Sequence, residues 1–317
     1  MELMFYNDPI DIVIPWLNPE DTFWQADHDK YKALETSKDV NDPDFNGACR
    51  YRNMGTIIYV LRSIEKNCPW VHKVFLILRD EHQIPAWLNL SHPKLEIIYH
   101  REYIPEELLP TFNSNVIENF LWRLDRLSNN YILCNDDTIF MKQVPAEKFF
   151  IFNKPVLTGN YKKFGKFPEG NLYWAMLNNN MTLEEKYNKI FNKENIRYDH
   201  MHLMVPHQKY FERMIWEENY DYLYDALAAS KFRSSKNITH LLFNDLAIIT
   251  DFCIKIPNLY GRSMAINVID NFDYRYFDLM DLTCINDTDN IKNYEKVKRD
   301  CLGYLNTKFP SKSTFEV

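Results

Sequence analysis

Four short apolar runs in the first 140 residues constrain this chain more than any other feature. Ile10-Asp11-Ile12-Val13-Ile14, Val74-Phe75-Leu76-Ile77-Leu78, Leu95-Glu96-Ile97-Ile98-Tyr99 and Tyr131-Ile132-Leu133-Cys134 each have the length and β-branched or aromatic content of a buried strand. Helical patterns lie between them. Ile57, Leu61 and Ile64 recur on one face over residues 54–66, and Val116, Phe120, Leu124 and Leu127 form a second stripe. Asn115 and Glu118 have the spacing of an Asn form of the capping box. Strands alternating with helices predict an α/β fold, Rossmann-like and three-layered, with a mixed but mostly parallel sheet.

The second half is less regular. Residues 158–182 are rich in Gly, Asn, Lys and aromatics without a period, which predicts a lid loop. Helical patterns follow at 207–218, 222–231, 240–251 and 292–306. There is no internal repeat and no low-complexity linker. The expectation is one domain over residues 1–317, with an α/β half at 1–157 and a lid loop plus mainly helical half at 158–317.

Composition excludes several classes. A chain of 317 residues with 46% hydrophobic and 26% charged residues is globular in type and needs no disulfide to fold. Lys plus Arg is 37 against 44 Asp plus Glu, and a net charge of −7 argues against a nucleic-acid binder. Seven glycines leave little for a Gly-rich phosphate loop. The six cysteines are scattered without a Cys-x-x-Cys pair, which argues against a zinc site and for a reducing compartment. No run approaches the ~20 apolar residues of a membrane span, and Met1-Glu2-Leu3-Met4-Phe5 lacks a signal-peptide pattern. The expectation is a cytoplasmic protein.

In open α/β sheets ligands bind beyond the carboxyl ends of the strands. Those positions hold Trp16, Asn18, Arg79, Asp80, His100, Asp136 and Asp137. Adjacent carboxylates repel, and a divalent cation or an acid–base role offsets that cost; a strand-end Asx turn also uses such residues. Arg50 and Arg52 stand just before a helix, where guanidinium forks suit phosphate, although isolated arginines are more often solvated surface charges. Asn113 and Asn115 lead into a helix N-terminus, a favourable place for an anion as well as for ordinary capping. His200, His202 and His207 fall close together, and Arg233 follows a helical pattern.

In this order the segments resemble the Stealth family of sugar-phosphate transferases, which includes bacterial capsule polymerases and the animal lysosomal-enzyme N-acetylglucosamine-phosphotransferase. The first region resembles Ile10 through Asn18. The second resembles Arg50 through Asp137, with Leu109-Pro110-Thr111-Phe112-Asn113-Ser114-Asn115-Val116-Ile117-Glu118 inside it. The third resembles Val205-Pro206-His207 followed by Phe232-Arg233-Ser234, and the fourth Cys284 through Glu316. Two positions depart from the pattern. Asn53-Met54 stands where Asp-Asn is commoner, and Met204 where a further His is usual.

The resemblance implies a GT-A-like fold whose first half binds a nucleotide sugar. It implies transfer of a sugar-1-phosphate from a UDP-sugar to a hydroxyl of an oligosaccharide or polysaccharide, with UMP leaving. Asp136 and Asp137 would hold Mg²⁺ or Mn²⁺, or one of them would hold it while the other acts as base. His207 would either take the acceptor proton or donate a hydrogen bond to the developing oxyanion, and Arg233 would clamp phosphate together with Arg50. Asp11, Trp16, Asn18, Arg50, Arg52, Asn113 and Asn115 would line the donor pocket. Peripheral association with capsule machinery at the inner face of the membrane is implied as well. The competing expectations are an ordinary glycosyltransferase releasing UDP and a non-catalytic glycan-binding protein.

Overall fold

A computed structural model describes residues 8–163, 172–187, 196–257 and 262–317. Its strands are Ile10–Pro15 (β1), Val74–Leu78 (β2), Leu95–Tyr99 (β3), Asn130–Leu133 (β4), Thr138–Phe140 (β5), Phe150–Ile151 (β6), Lys154–Lys163 (β7), Ile196–His200 (β8), Val205–Gln208 (β9), Ile254–Pro257 (β10), Ser263–Asn267 (β11) and Leu282–Asn286 (β12). The helices that matter here are Thr22–Leu34 (α1), Pro43–Asn46 (α2), Ile57–Asn67 (α3), Ser114–Asn119 (α4), Leu172–Tyr187 (α5), Lys209–Ala228 (α6), Leu241–Ile249 (α7) and Tyr294–Lys308 (α8).

The central sheet has the order β3-β2-β1-β4-β9. Its first four strands are parallel and β9 runs antiparallel to β4. Alternation along β1 and β2 splits their side chains between two layers. Ile12, Ile14, Val74, Leu76 and Leu78 pack with Ile57, Val60, Leu61 and Ile64 of α3 and with Val297, Cys301 and Leu305 of α8. Val13, Phe75 and Ile77 face the other way, toward Val116, Phe211, Ile215, Trp216, Leu242 and Leu246 from α4, α6 and α7. Burying an aliphatic side chain of this kind stabilises by about 1.5–3 kcal/mol, so a sheet covered on both faces is held firmly. The expected three-layer α/β architecture with a mostly parallel sheet is what the chain forms.

The second half departs from expectation. Residues 158–182 do not form a loop: β7 runs through Lys163 and α5 begins at Leu172, while 164–171 fall outside the described residues. Gly159 was a misleading signal. It is needed because a Cβ there would lie 2.6 Å from both Asp199 O and Tyr198 Cε1 on the paired β8. This half is mainly helical as expected, through α5 to α8, but it also supplies the strands β8 to β12. The helices expected at 207–218 and 222–231 are one element, α6, interrupted at Asn219 with φ −138° and ψ 26°. The six cysteines are free thiols. Among the described residues no helix is long and apolar enough to cross a membrane.

The stripe from Val116 to Leu127 is buried as expected, but α4 is only six residues long. Its end has a visible cause: the Trp216 indole donates to Asn119 O at 3.1 Å, and Arg123 N bonds back to Phe120 O instead. The helix is capped by Asn113 rather than Asn115, the Asn113 side chain accepting from Asn115 N at 3.1 Å.

Candidate active site

The carboxyl edge of the central sheet opens into a cleft of about 270 Å³. Trp16 follows β1, Arg79 follows β2, His100 follows β3, and Asp136 with Asp137 follow β4; all line the cleft. Arg50, Arg52, Glu118, His202, Arg233 and Asp287 complete its polar wall.

Asp136 and Asp137 are the middle residues of a turn closed by Thr138 N donating to Asn135 O at 3.2 Å. β5 pairs antiparallel with β12, and two contacts from β12 fix Asp137. Ile285 N donates to Asp137 O at 2.9 Å, and Cys284 Sγ donates to Asp137 Oδ1 at 3.3 Å. Burial first, and the Asp137 charge second, push the Asp136 carboxyl up to about 7. Burial also raises Asp137, against the lowering effects of His202 and the Cys284 and Thr138 hydrogen bonds. His202 is itself lowered, by desolvation first, and the charges of His240, Arg50 and Arg233 add to that effect against the pull of Asp137.

Positive charge collects in the same cleft. Arg233 donates to Ser114 Oγ through Nη2 at 2.6 Å and Nε at 3.1 Å, and among the described residues it has no carboxylate within 4 Å. Desolvation, followed by the Arg50 charge, lowers its pKa, so two guanidinium groups compete across one space. A phosphate between them would relieve that repulsion. Arg52 is committed elsewhere. It grips Asp287 through Nε at 2.8 Å and Nη2 at 2.7 Å, donates to Thr288 O, and lies over the Tyr294 ring at 4.6 Å. It braces the cleft wall with its charge largely neutralised.

Three buried polar atoms at the strand ends have no hydrogen-bond partner among the described residues: Trp16 Nε1, Arg79 Nη1 and His100 Nδ1. Arg79 spends its other nitrogens on Asp27 and, at 3.1 Å, on Asp80. Burial, with help from the Arg79 charge, drives the His100 pKa down to about 3, so its ring is neutral. Buried polar atoms are nearly always paired, and three beside one cleft are suited to a polar ligand.

Several residues expected in the site lie outside it. Asp11 is at the opposite edge of the sheet, fully buried, accepting from Ser128 N at 2.7 Å, Lys73 N at 3.1 Å and His72 Nδ1 at 2.8 Å; its charge is used to bind the starts of neighbouring strands together. Asn18 shapes a turn, its Oδ1 accepting from Glu20 N and its backbone N donating to Gln83 Oε1. Asn113 donates to Phe232 O and Asn237 Oδ1, both at 2.9 Å, and so fastens the loop carrying Arg233 to the start of α4. Asn115 is buried with Nδ2 toward Met176 Sδ. His207 is on β9, its ring stacked on Tyr131 and its Nδ1 2.6 Å from Glu212 Oε1; at 2% exposure it does not reach the cleft. His202 does.

Glu118 is the cleft residue that sequence reasoning missed. Its spacing from Asn115 suggested capping, yet its carboxylate turns to His240 Nδ1 at 2.8 Å. Nothing in the local sequence marks that partner, 122 positions away.

A metal was expected at Asp136 and Asp137. Among the described residues no group of three His, Cys, Asp or Glu side chains is arranged to hold one. The two carboxylates nevertheless fit Mg²⁺ or Mn²⁺ in the mode that uses one or two carboxylates together with phosphate and water. The raised pKa of Asp136 reflects burial first and the adjoining Asp137 charge second, and a bound cation would offset both.

The sequence model of Stealth protein CR2, conserved region 2, matches residues 50–156, the stretch holding Arg50, Arg52, Glu118, Asp136 and Asp137. The capsular polysaccharide phosphotransferase WcwK of Streptococcus pneumoniae is 31% identical over 98% of this chain and 98% of its own length. The capsular polysaccharide phosphotransferase SacB of Neisseria meningitidis serogroup A is 29% identical, covering 98% of this chain and 57% of that protein. Among solved structures, the galactosyltransferase LgtC in complex with donor and acceptor sugar analogs aligns over 96% of this chain and 98% of its own, with a TM-score of 0.43 and 9% identity.

Proposed function

The chain belongs to the Stealth family of sugar phosphotransferases, and from that premise we propose that its cleft moves a hexose- or N-acetylhexosamine-1-phosphate from a UDP-sugar to a glycan hydroxyl. The product is a phosphodiester in a capsular or other cell-surface polysaccharide, and UMP leaves. One observation carries the reading: Arg50 and Arg233 share a cleft with Asp136 and Asp137, so cationic and metal-binding groups converge at the strand ends where a diphosphate would lie.

Phosphoryl transfer asks the protein mainly to position reactants and neutralise charge. Arg233, fixed by Ser114, and Arg50 clamp the donor phosphates. Asp136 and Asp137 hold Mg²⁺ or Mn²⁺, which would supply positive charge to the diphosphate. His202, beside Asp137, replaces His207 as the histidine able to touch a reacting phosphoryl oxygen. Trp16 Nε1, Arg79 Nη1 and His100 Nδ1 serve the nucleoside: an arginine already bound by two carboxylates suits a neutral carbonyl better than a phosphate.

The test is intact-mass analysis of the products formed from a panel of nucleotide sugars with a capsular oligosaccharide acceptor. An added sugar phosphate together with free UMP supports the reading. An added sugar alone, with UDP, overturns it.

A further inference from the structure

Glu118 and His240 form a pair that the reading above leaves unused. Glu118 lines the cleft, and its Oε2 lies 2.8 Å from His240 Nδ1. Behind them, the His240 ring is 5.6 Å from that of His207, which is held by Glu212, whose carboxylate also accepts from Tyr131 OH at 2.7 and 2.9 Å. Tyr131 lies on β4 and His207 on β9, paired strands of the central sheet. The pair is therefore backed by buried side chains on two paired strands of the central sheet. His240 itself sits at the start of α7, its side chain 22% exposed.

We propose that His240 is a positioning residue, which aims Glu118 so that the Glu118 carboxylate orients the acceptor hydroxyl and receives its proton. The proposal rests on the phosphotransferase reading. In the step, the acceptor oxygen forms a bond to the sugar-linked phosphorus while the bond from that phosphorus to the bridging oxygen breaks. The bridging electron pair leaves with UMP, and the hydroxyl proton passes to Glu118, from which it returns to solvent through the cleft.

Two features favour Glu118 over the other carboxylates. Asp136 and Asp137 stand together where a metal would occupy their oxygens. Glu118 stands apart from them, tied through one oxygen to His240 and with its side chain facing the cleft. Burial alone would raise its pKa, but His240, Arg233 and His207 outweigh burial and keep it ionised. A weakly basic carboxylate would be a handicap if the proton had to leave early. A loose phosphoryl transition state does not require that, because the nucleophile is little bonded when the leaving group departs, and orientation matters more than basicity.

The experiment compares His240→Gln with His240→Phe in the full chain. Glutamine can present an amide N–H to Glu118; phenylalanine keeps the bulk and presents none. His240→Gln should stay within ~10-fold of wild-type kcat, while His240→Phe should lose ~100-fold or more with donor KM unchanged. Glu118→Gln should match the larger loss. Melting temperatures of all three keep folding defects distinguishable. Equal kcat losses in folded His240→Gln and His240→Phe, or full turnover in Glu118→Gln, would overturn the proposal. The nucleotide released by the wild type is read in the same assay, so UDP in place of UMP would count against the phosphotransferase reading separately.

Discussion

Cys284 Sγ donates to Asp137 Oδ1 across 3.3 Å, so a thiol 147 positions away orients one of the two carboxylates at the centre of the cleft. With Ile285 N bonded to Asp137 O, β12 fixes both the backbone and the side chain of that residue. Asp137→Asn preserves the shape and removes the charge. We expect a folded variant with at least ~100-fold lower turnover and no further loss on adding chelator. Wild-type turnover of the variant in excess chelator would contradict the metal assignment. Thermal melting belongs beside the assay, since Asp137 also has a place in a turn.

Arg233 depends on Asn113, which fastens residues 232 and 237 to the start of α4. Arg233→Met should therefore lower kcat/KM by ~100-fold or more, because the charge near the transferring phosphoryl group is gone. Asn113→Ala should lower it less while reducing stability by about 1–3 kcal/mol through the buried partners it leaves unpaired. Steady-state kinetics and denaturant unfolding separate the two effects. An Asn113→Ala variant as inactive as Arg233→Met at unchanged stability would place Asn113 in contact with substrate.

The two histidines should part company. His202 lines the cleft and His207 is buried against Glu212 and Tyr131. His202→Ala should reduce turnover by ~10- to 100-fold with little change in melting temperature. His207→Ala should cost about 2–4 kcal/mol of stability, because Glu212 loses a buried partner, and should affect turnover less. The reverse pattern would restore His207 to the chemistry.

The parts of this molecule readable in the sequence are those governed by local pattern. The four apolar runs became β1 to β4 because strands buried on both faces are apolar throughout, and the sheet they form places Trp16, Arg79, His100 and Asp136 at one edge. Contacts remote in sequence were not readable. Gly159 suggested a loop although its missing Cβ makes room for β8. Asp11, in a strand of a matching motif, turned out to bind Ser128 N and Lys73 N at the far edge. Glu118 looked like a cap, and only the fold brings His240 to it.

His100 gives the protein an acid-sensitive point. Its folded pKa of about 3 lies below the ordinary value of 6.5, so the unfolded chain takes up the proton first. Stability is unaffected above pH 6.5 and falls as pH drops from there toward 3, by up to about 1.4 kcal/mol per pH unit. Between pH 7 and pH 5.5, the unfolding free energy of His100→Gln should drop by about 1 kcal/mol less than that of the wild type. Parallel pH dependence in the two proteins would show that the His100 ring can ionise in the fold.

The central claim is that attack occurs at the sugar-linked phosphorus. A UDP-sugar donor labelled at that phosphorus, incubated with acceptor glycan and Mg²⁺, tests it most directly. The label should enter the glycan as a phosphodiester, one per transferred sugar, with unlabelled UMP released. Recovery of all the label in UDP, with sugar but no phosphate added to the glycan, would contradict the account.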